Sequence, residues 1–392
     1  MPAHRGFVGL PVRRAYEALV WAAFHGALLF VLLNLVAEAD LEFLPTDPLT
    51  ITYGDRPYTA VYPGRPRAEV RQLLLETWGR QPAFEPFTDS RERRHVGRFV
   101  NVDPIGFRLS RDQAPWPPDP ERVNVFVFGG SATFGYGLAD DETIVSALQT
   151  YLAERAPRLR SACYNFGSGG YYSTQERILF EELMAAGSVP RCAVFIDGLN
   201  EFVFPNPWHT PLLRRCVASP VLAGMEMLRD HLPLALLIAR AKARRGLRPA
   251  QEDLSAYDDA TLLDSRIDRY QANRRLLASA AAGYGVRPLF VWQPVPTYHY
   301  DLRWHLFGEF DFEHNNYARF GYGRFRERMG ASLGNDFLWL ADMQEALREP
   351  LYVDQVHYTA AMSRRIATEI GQALLDRGLL SPPPGPSRSA TP

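Results

Sequence analysis

The stretch VNVFVFGGSATFGYG, Val123 to Gly137, is an apolar run that stops at two glycines and a serine. Val, Phe and alternating β-branched residues predict a buried strand, and the glycines mark the tight turn that ends it. In an open α/β sheet the carboxyl end of such a strand is where ligands bind. A phosphate-binding P-loop needs a lysine after its last glycine, and none is present. Gly129, Gly130, Gly135 and Gly137 do not fit G-x-G-x-x-G, so a dinucleotide site is excluded. Thr133 stands where the nucleophile elbow G-x-S-x-G requires glycine. What remains is Ser131 at a strand end, by itself an ordinary turn residue.

Strand and helix patterns alternate outward from this point. Helical spacing covers Asp141–Ala156, Ser173–Ala186 and Ala360–Gly378. Further apolar strands are predicted at Ala162–Phe166, Ala193–Ile196, Arg287–Trp292 and Phe337–Asp342. That alternation predicts a parallel sheet covered on both faces, over about residues 121–380, interrupted by a mainly helical insertion at about 201–285. Residues 38–120 are rich in Pro, Arg and aromatics. With strand-like pieces at LTITYG (49–54) and YTAVYPG (58–64), they are expected to form a linker and a small β-rich collar.

A serine becomes a nucleophile only with a base, and the base needs an orienting group. YVDQVHYTAA, just before the last helix, supplies both: Asp354 can accept from one nitrogen of His357 while the other faces the serine. NFGSGGYYSTQ follows the second strand, and DGLNE follows the third. The N–H groups of Ser131 and Gly170 with the amide of Asn200 would give an oxyanion three donors. Each piece falls after a predicted strand, on one edge of one sheet.

This set resembles the SGNH (GDSL-type) hydrolases over about Arg122 to Leu379. FGGSATFG matches the block of the nucleophile serine, NFGSGGYYSTQ the block of the glycine N–H, and DGLNE the block of the asparagine. D-x-x-H at Asp354 and His357 matches the last block, while NVDPIGFRL and WQPVP look like flanking elements of membrane-anchored bacterial members. The resemblance implies the SGNH hydrolase fold, a flavodoxin-like three-layer parallel sheet. It also implies a catalytic set of Ser131, Asp354 and His357, an oxyanion hole of Ser131, Gly170 and Asn200, and no cofactor or metal. One position departs: the family commonly has Asp before the serine, where this chain has Gly130, which bears on the support of the serine turn.

Composition adds limits. The 43 basic and 44 acidic residues nearly cancel in a chain of 392, so no nucleic-acid partner is implied. Lys242 is the only lysine, which removes mechanisms that need a Ser–Lys pair. Cys163, Cys192 and Cys216 lack metal or disulfide spacing, and His209, His299, His305 and His314 lack metal spacing. Trp292, Tyr298, Tyr300, Trp304 and Phe307 suit either a substrate groove or the core.

Residues 16–37 form an apolar stretch long enough, at about 1.5 Å per residue, to cross a bilayer. Arg5, Arg13 and Arg14 precede it and acidic residues follow, which predicts a cytoplasmic N-terminus (1–15) and a periplasmic or otherwise extracytoplasmic catalytic domain. Its length favours a retained anchor in the plasma membrane over a cleaved signal peptide. LPLALLIARAKARRG, inside the insertion, reads as a core helix or as a segment lying on an anionic membrane surface. The Pro/Ser-rich tail, 381–392, is expected to be disordered. The expected activity is a serine esterase that hydrolyses O-acyl esters of an envelope glycan or lipid. The alternatives are O-acyl transfer to an exported polysaccharide and a non-catalytic scaffold.

Overall fold

A computed structural model describes residues 9–43, 47–80, 82–85, 87–203, 218–244, 257–330 and 333–381; His209, Cys216 and the expected disordered tail after its first residue lie outside them. Helix α1 (Gly9–Phe43) runs beyond both ends of the expected anchor. Its segment Val12–Leu41 contains an 18-residue window of mean hydropathy 2.1, none of that window buried, and is long and apolar enough to cross a membrane.

The next segment corrects the sequence reading. LTITYG and YTAVYPG are not strands: Pro48–Tyr53 is helix α2 and Pro57–Val61 a π-turn. Asp47 caps α2, accepting from Thr50 N–H at 2.8 Å, and Pro48 occupies the first turn, where no N–H is needed. These start signals outweigh the β-branched alternation. Helix α3 (Arg67–Trp78) follows, then two small hairpins, β1 (Ala83–Glu85) with β2 (Asp89–Arg91) and β3 (His95–Val96) with β4 (Asn101–Val102). Nor is this segment a linker. Leu49, Tyr62, Val70, Leu73 and Leu74 are buried in one cluster with Phe134, Leu138 and Val353.

The central sheet is formed by β5 (Val123–Gly129), β6 (Ser161–Gly167), β7 (Cys192–Asp197), β8 (Arg287–Trp292) and β9 (Phe337–Trp339). All neighbours are parallel in the order β6-β5-β7-β8-β9. Counted from the first of the five, this is 2-1-3-4-5, the flavodoxin-like order, whose ligand crevice opens beside the first strand.

Alternation along each strand sends one row of side chains to each face. Phe126, Phe128, Phe166, Phe195, Phe290 and Trp292 share one core, and Val125, Val127, Val194, Ile196, Leu289 and Val291 the other. The aromatic row stacks across neighbouring strands, with Phe128 at 5.4 Å from Phe166 and 5.0 Å from Phe195. A shift of one residue in register would exchange the two rows, so the packing pins the alignment.

Helices α4 (Ser131–Phe134), α5 (Ile144–Arg155), α6 (Ser173–Ala185) and α7 (Leu199–Val203) connect the first strands. They are followed by α8 (Pro220–His231), α9 (Pro233–Arg244), α10 (Ala260–Gly283), α11 (Asn316–Met329) and α12 (Ala360–Asp376). Helices α5 and α12 cover the aliphatic face, and α6, α10 and α11 cover the aromatic face, which completes three layers. The predicted insertion divides: α10 belongs to this domain, whereas α8 and α9 form a second compact unit with α1. The reason is composition, since α10 buries Leu263, Ile267, Tyr270 and Leu277 at helical spacing against the aromatic face. Cys163 and Cys192 are buried free thiols on the strands either side of β5, pushed up by that burial, Cys163 to about 12.

Candidate active site

Strand β5 ends at Gly129, and the chain turns at once into the single helical turn of α4, with Ser131 first. Phe134 N–H donates to Gly130 O at 3.0 Å and Gly135 N–H to Ser131 O at 2.9 Å, which fixes the serine at the sheet edge. Across the edge, the loop before α12 folds on itself. One oxygen of Asp354 accepts the backbone N–H groups of Val356 (2.9 Å) and His357 (2.8 Å). The other lies 2.6 Å from His357 Nδ1, and His357 Nε2 lies 2.8 Å from Ser131 Oγ. Ser131, Asp354 and His357 are therefore joined in one hydrogen-bonded line.

Burial alone would raise the Asp354 carboxyl, but His357 beside it and the hydrogen bonds it accepts hold it below its ordinary value. It is therefore a carboxylate at neutral pH. An ionised acceptor at Nδ1 keeps the proton on that nitrogen, so Nε2 accepts from the serine hydroxyl.

The third loop also reaches the serine turn. Asn200, on α7, donates through Nδ2 to Tyr171 O at 2.6 Å. Gly170 precedes Tyr171 in a turn closed by Tyr171 N–H to Ser168 O at 3.2 Å, with a left-handed φ of 76° that favours glycine. The position before the serine is now explained. A Cβ at Gly130 would stand 2.4 Å from Asn200 Nδ2 and 3.0 Å from Tyr171 O. Here the Asn200 amide fills the space that a side chain at 130 would need.

Several residues that the sequence did not single out complete the site. Tyr136 stacks on the His357 ring at 5.2 Å, and Trp78 of α3 meets it edge-on at 5.9 Å. These rings hold the imidazole plane and keep bulk water from it. Burial pushes the Tyr136 phenol up to about 12, so it stays neutral. Arg108, fully buried, donates to Phe134 O (2.9 Å), Gly135 O (2.7 Å) and Leu138 O (2.6 Å) and pairs with Asp140 at 3.0 Å. It thus ties down the loop after the serine turn. Its only signal was its place in NVDPIGFRL. WQPVP has a comparable part: Tyr358, next to His357, donates to Pro294 O at 2.5 Å.

The remaining candidates fall elsewhere. His305 is packed, with Nε2 donating to Gln355 O at 3.2 Å and Nδ1 accepting from Phe307 N–H at 3.0 Å. His299 pairs with Asp342, and no group of metal-ligating side chains occurs among the described residues. Trp292, Tyr298, Tyr300 and Phe307 are core, while Trp304 is exposed. Behind the third loop Glu176, Asp197 and Glu201 are buried together. Burial raises both Glu176 and Asp197 well above the ordinary carboxyl range, with Asp197 adding to it for Glu176 and Glu201 for Asp197.

No protein-family model and no curated protein matches the chain. Among solved structures it is similar to a putative lipolytic protein of the G-D-S-L family from Desulfitobacterium hafniense DCB-2, at 11% identity and a TM-score of 0.35, over 64% of this chain and 100% of that one. It is also similar to the esterase EstA from Pseudoalteromonas sp., at 11% identity and a TM-score of 0.33, over 65% of this chain and 98% of that one. A third is the acetyl xylan esterase AlAXEase, at 13% identity and a TM-score of 0.37, over 64% of this chain and 100% of that one.

Proposed function

We propose that this chain is a serine esterase of the SGNH type, held to a membrane by α1 with its catalytic domain outside the cytoplasm. The observation that carries the reading is the line from Ser131 Oγ through His357 to Asp354, with contacts of 2.8 and 2.6 Å. Ser131 attacks an ester carbonyl as His357 Nε2 takes its proton, and the Asp354 carboxylate stabilises the imidazolium that forms. Negative charge then develops on the carbonyl oxygen. The N–H groups of Ser131 and Gly170 and the second Nδ2 hydrogen of Asn200 receive it. His357 returns the proton to the departing alcohol. Water, deprotonated by the same imidazole, releases the acid and restores the serine. The substrate is an O-acyl ester of an envelope glycan or lipid.

The test is hydrolysis of a short-chain aryl ester by the purified protein beside Ser131→Ala. Loss of turnover to the uncatalysed rate in the variant supports the assignment, and turnover that survives in it overturns the nucleophile. An acyl group that passes to an added oligosaccharide, in place of water, would convert the reading to acyl transfer. An uncleaved N-terminus on membrane-extracted protein tests the anchor.

A further inference from the structure

Among the described residues, the unit made by α1, α8 and α9 carries an exposed apolar surface. Helix α9 lies against α1 through two polar contacts. Leu234 N–H donates to Asn34 Oδ1 at 3.2 Å, and Arg240 comes within 3.9 Å of Asp40. Residues 34 to 40 and 234 to 240 each rise about 9 Å along their helices, so the two run side by side in the same direction. Asn34 and Asp40 both fall inside the apolar segment Val12–Leu41. The start of α9 therefore sits within about one turn of the end of the apolar stretch 16–37 that would occupy a bilayer.

The Asn34 contact has the chemistry that hydrocarbon demands. In lipid every polar group must find an internal partner, and the first N–H groups of a helix have none of their own. Asn34 Nδ2 donates to Phe30 O at 2.9 Å, while its Oδ1 takes the first-turn N–H of α9. The one amide in the outer half of the apolar run and an orphan donor of α9 satisfy each other. The surface beside them is apolar. On α8, Val221, Leu222, Met225 and Leu228 are between 62% and 73% exposed, and Ile238 of α9 is 47% exposed. Val221, Met225 and Leu228 recur at i, i+4 and i+7, which places them on one face.

We infer that α8 and α9 form an interfacial hairpin whose apolar face is buried in the acyl region of a lipid bilayer, beside α1. The occupant follows from continuity. A helix pair fixed alongside the last turns of a membrane-length helix meets the lipid that surrounds that helix. Each apolar side chain on the face then gains the transfer free energy that water denies it. The exposed Lys242 comes at the end of α9 beyond this face, where a basic side chain reaches the headgroups. The inference rests on α1 spanning the membrane and is independent of the esterase chemistry.

The test uses the full chain reconstituted in phosphatidylcholine–phosphatidylglycerol vesicles, in a Cys216→Ser background that leaves only the buried thiols. Single variants Leu222→Cys, Met225→Cys and Ile238→Cys are labelled with an environment-sensitive nitrobenzoxadiazole probe, with Leu33→Cys on α1 as the reference. Lipids carrying a doxyl quencher high on the acyl chain are then added to the mixture. The expected result is a loss of fluorescence at 222, 225 and 238 comparable with that at 33. Quenching at 33 alone overturns the inference, whether the other probes report water or the dry, unquenched environment of a protein contact. Absence of quenching at all four positions overturns the membrane reading of α1 and the hairpin with it. Catalysis by the same samples on a soluble ester reports the esterase reading separately.

Discussion

Replacing Gly130 by alanine tests whether the Asn200 amide serves the reaction. Gly130 has φ −80° and ψ −159°, which any residue adopts, so alanine adds no backbone strain. Its Cβ would lie 2.4 Å from Asn200 Nδ2. Ordinary non-bonded contact lies near 3.5 Å, so the amide must retreat by roughly 1 Å. Tyr171 O, 3.0 Å from the same Cβ, is backbone and yields less. A displacement of that size removes one of three proposed oxyanion donors, worth about 100- to 1,000-fold in kcat. The hydrogen bond from Asn200 to Tyr171 is weakened as well, at about 1 kcal/mol of stability. The assay is kcat and KM on an aryl ester for Gly130→Ala, Asn200→Ala and the double variant, with chemical denaturation of each. Both single variants should lose kcat with little change in KM, and the double variant should be no worse than Asn200→Ala, because the two act through one group. Wild-type kcat in Gly130→Ala, or losses that multiply in the double variant, would refute the reasoning.

The other predictions concern charge. Asp354→Asn should cut kcat by about 10,000-fold while leaving KM near the wild-type value, because an amide no longer holds the His357 proton on Nδ1; initial rates on the same ester measure it. Glu176 and Asp197 have raised carboxyl values in the folded state, so the stability they contribute is full below the unfolded value and is lost as pH rises through the folded one. Glu176→Gln should therefore flatten the loss of stability as pH rises above the ordinary carboxyl range in urea denaturation. His305 is a base lowered from 6.5 to about 4, chiefly by burial, so its contribution is full above the unfolded value and is lost as pH falls toward 4. That difference corresponds to about 3 kcal/mol, and His305→Gln should show a shallower acid limb in the same measurement.

The elements that could be read from the chain are those whose signals are local. The alternating aromatic and aliphatic rows of β5, β7 and β8 are written in successive residues, and a strand buried on both faces needs no more. D-x-x-H is equally local: Asp354 accepts from the backbone N–H groups of Val356 and His357, so the spacing itself presents the carboxylate to His357. Gly170 and Asn200 could be named because each follows a strand of one sheet, which fixes the edge but not the distance. The strand-like pieces of residues 49–64 failed for a local reason too, since Asp47 and Pro48 start a helix that β-branched residues can tolerate.

What only the tertiary structure decided are contacts between residues far apart in sequence. Trp78 reaches the imidazole from α3, Arg108 ties the loop after Ser131 by backbone carbonyls, and Asn200 excludes a side chain at 130. The same holds for the division of the insertion, in which α10 packs on the sheet while α9 takes Asn34 as its partner. Carbonyl oxygens and ring faces carry no residue-type signature, and their partners are chosen by shape after the chain has folded. The sequence by itself determined the layers, the sheet edge and the chemical groups upon it. The packing decided which neighbours hold those groups at working distance.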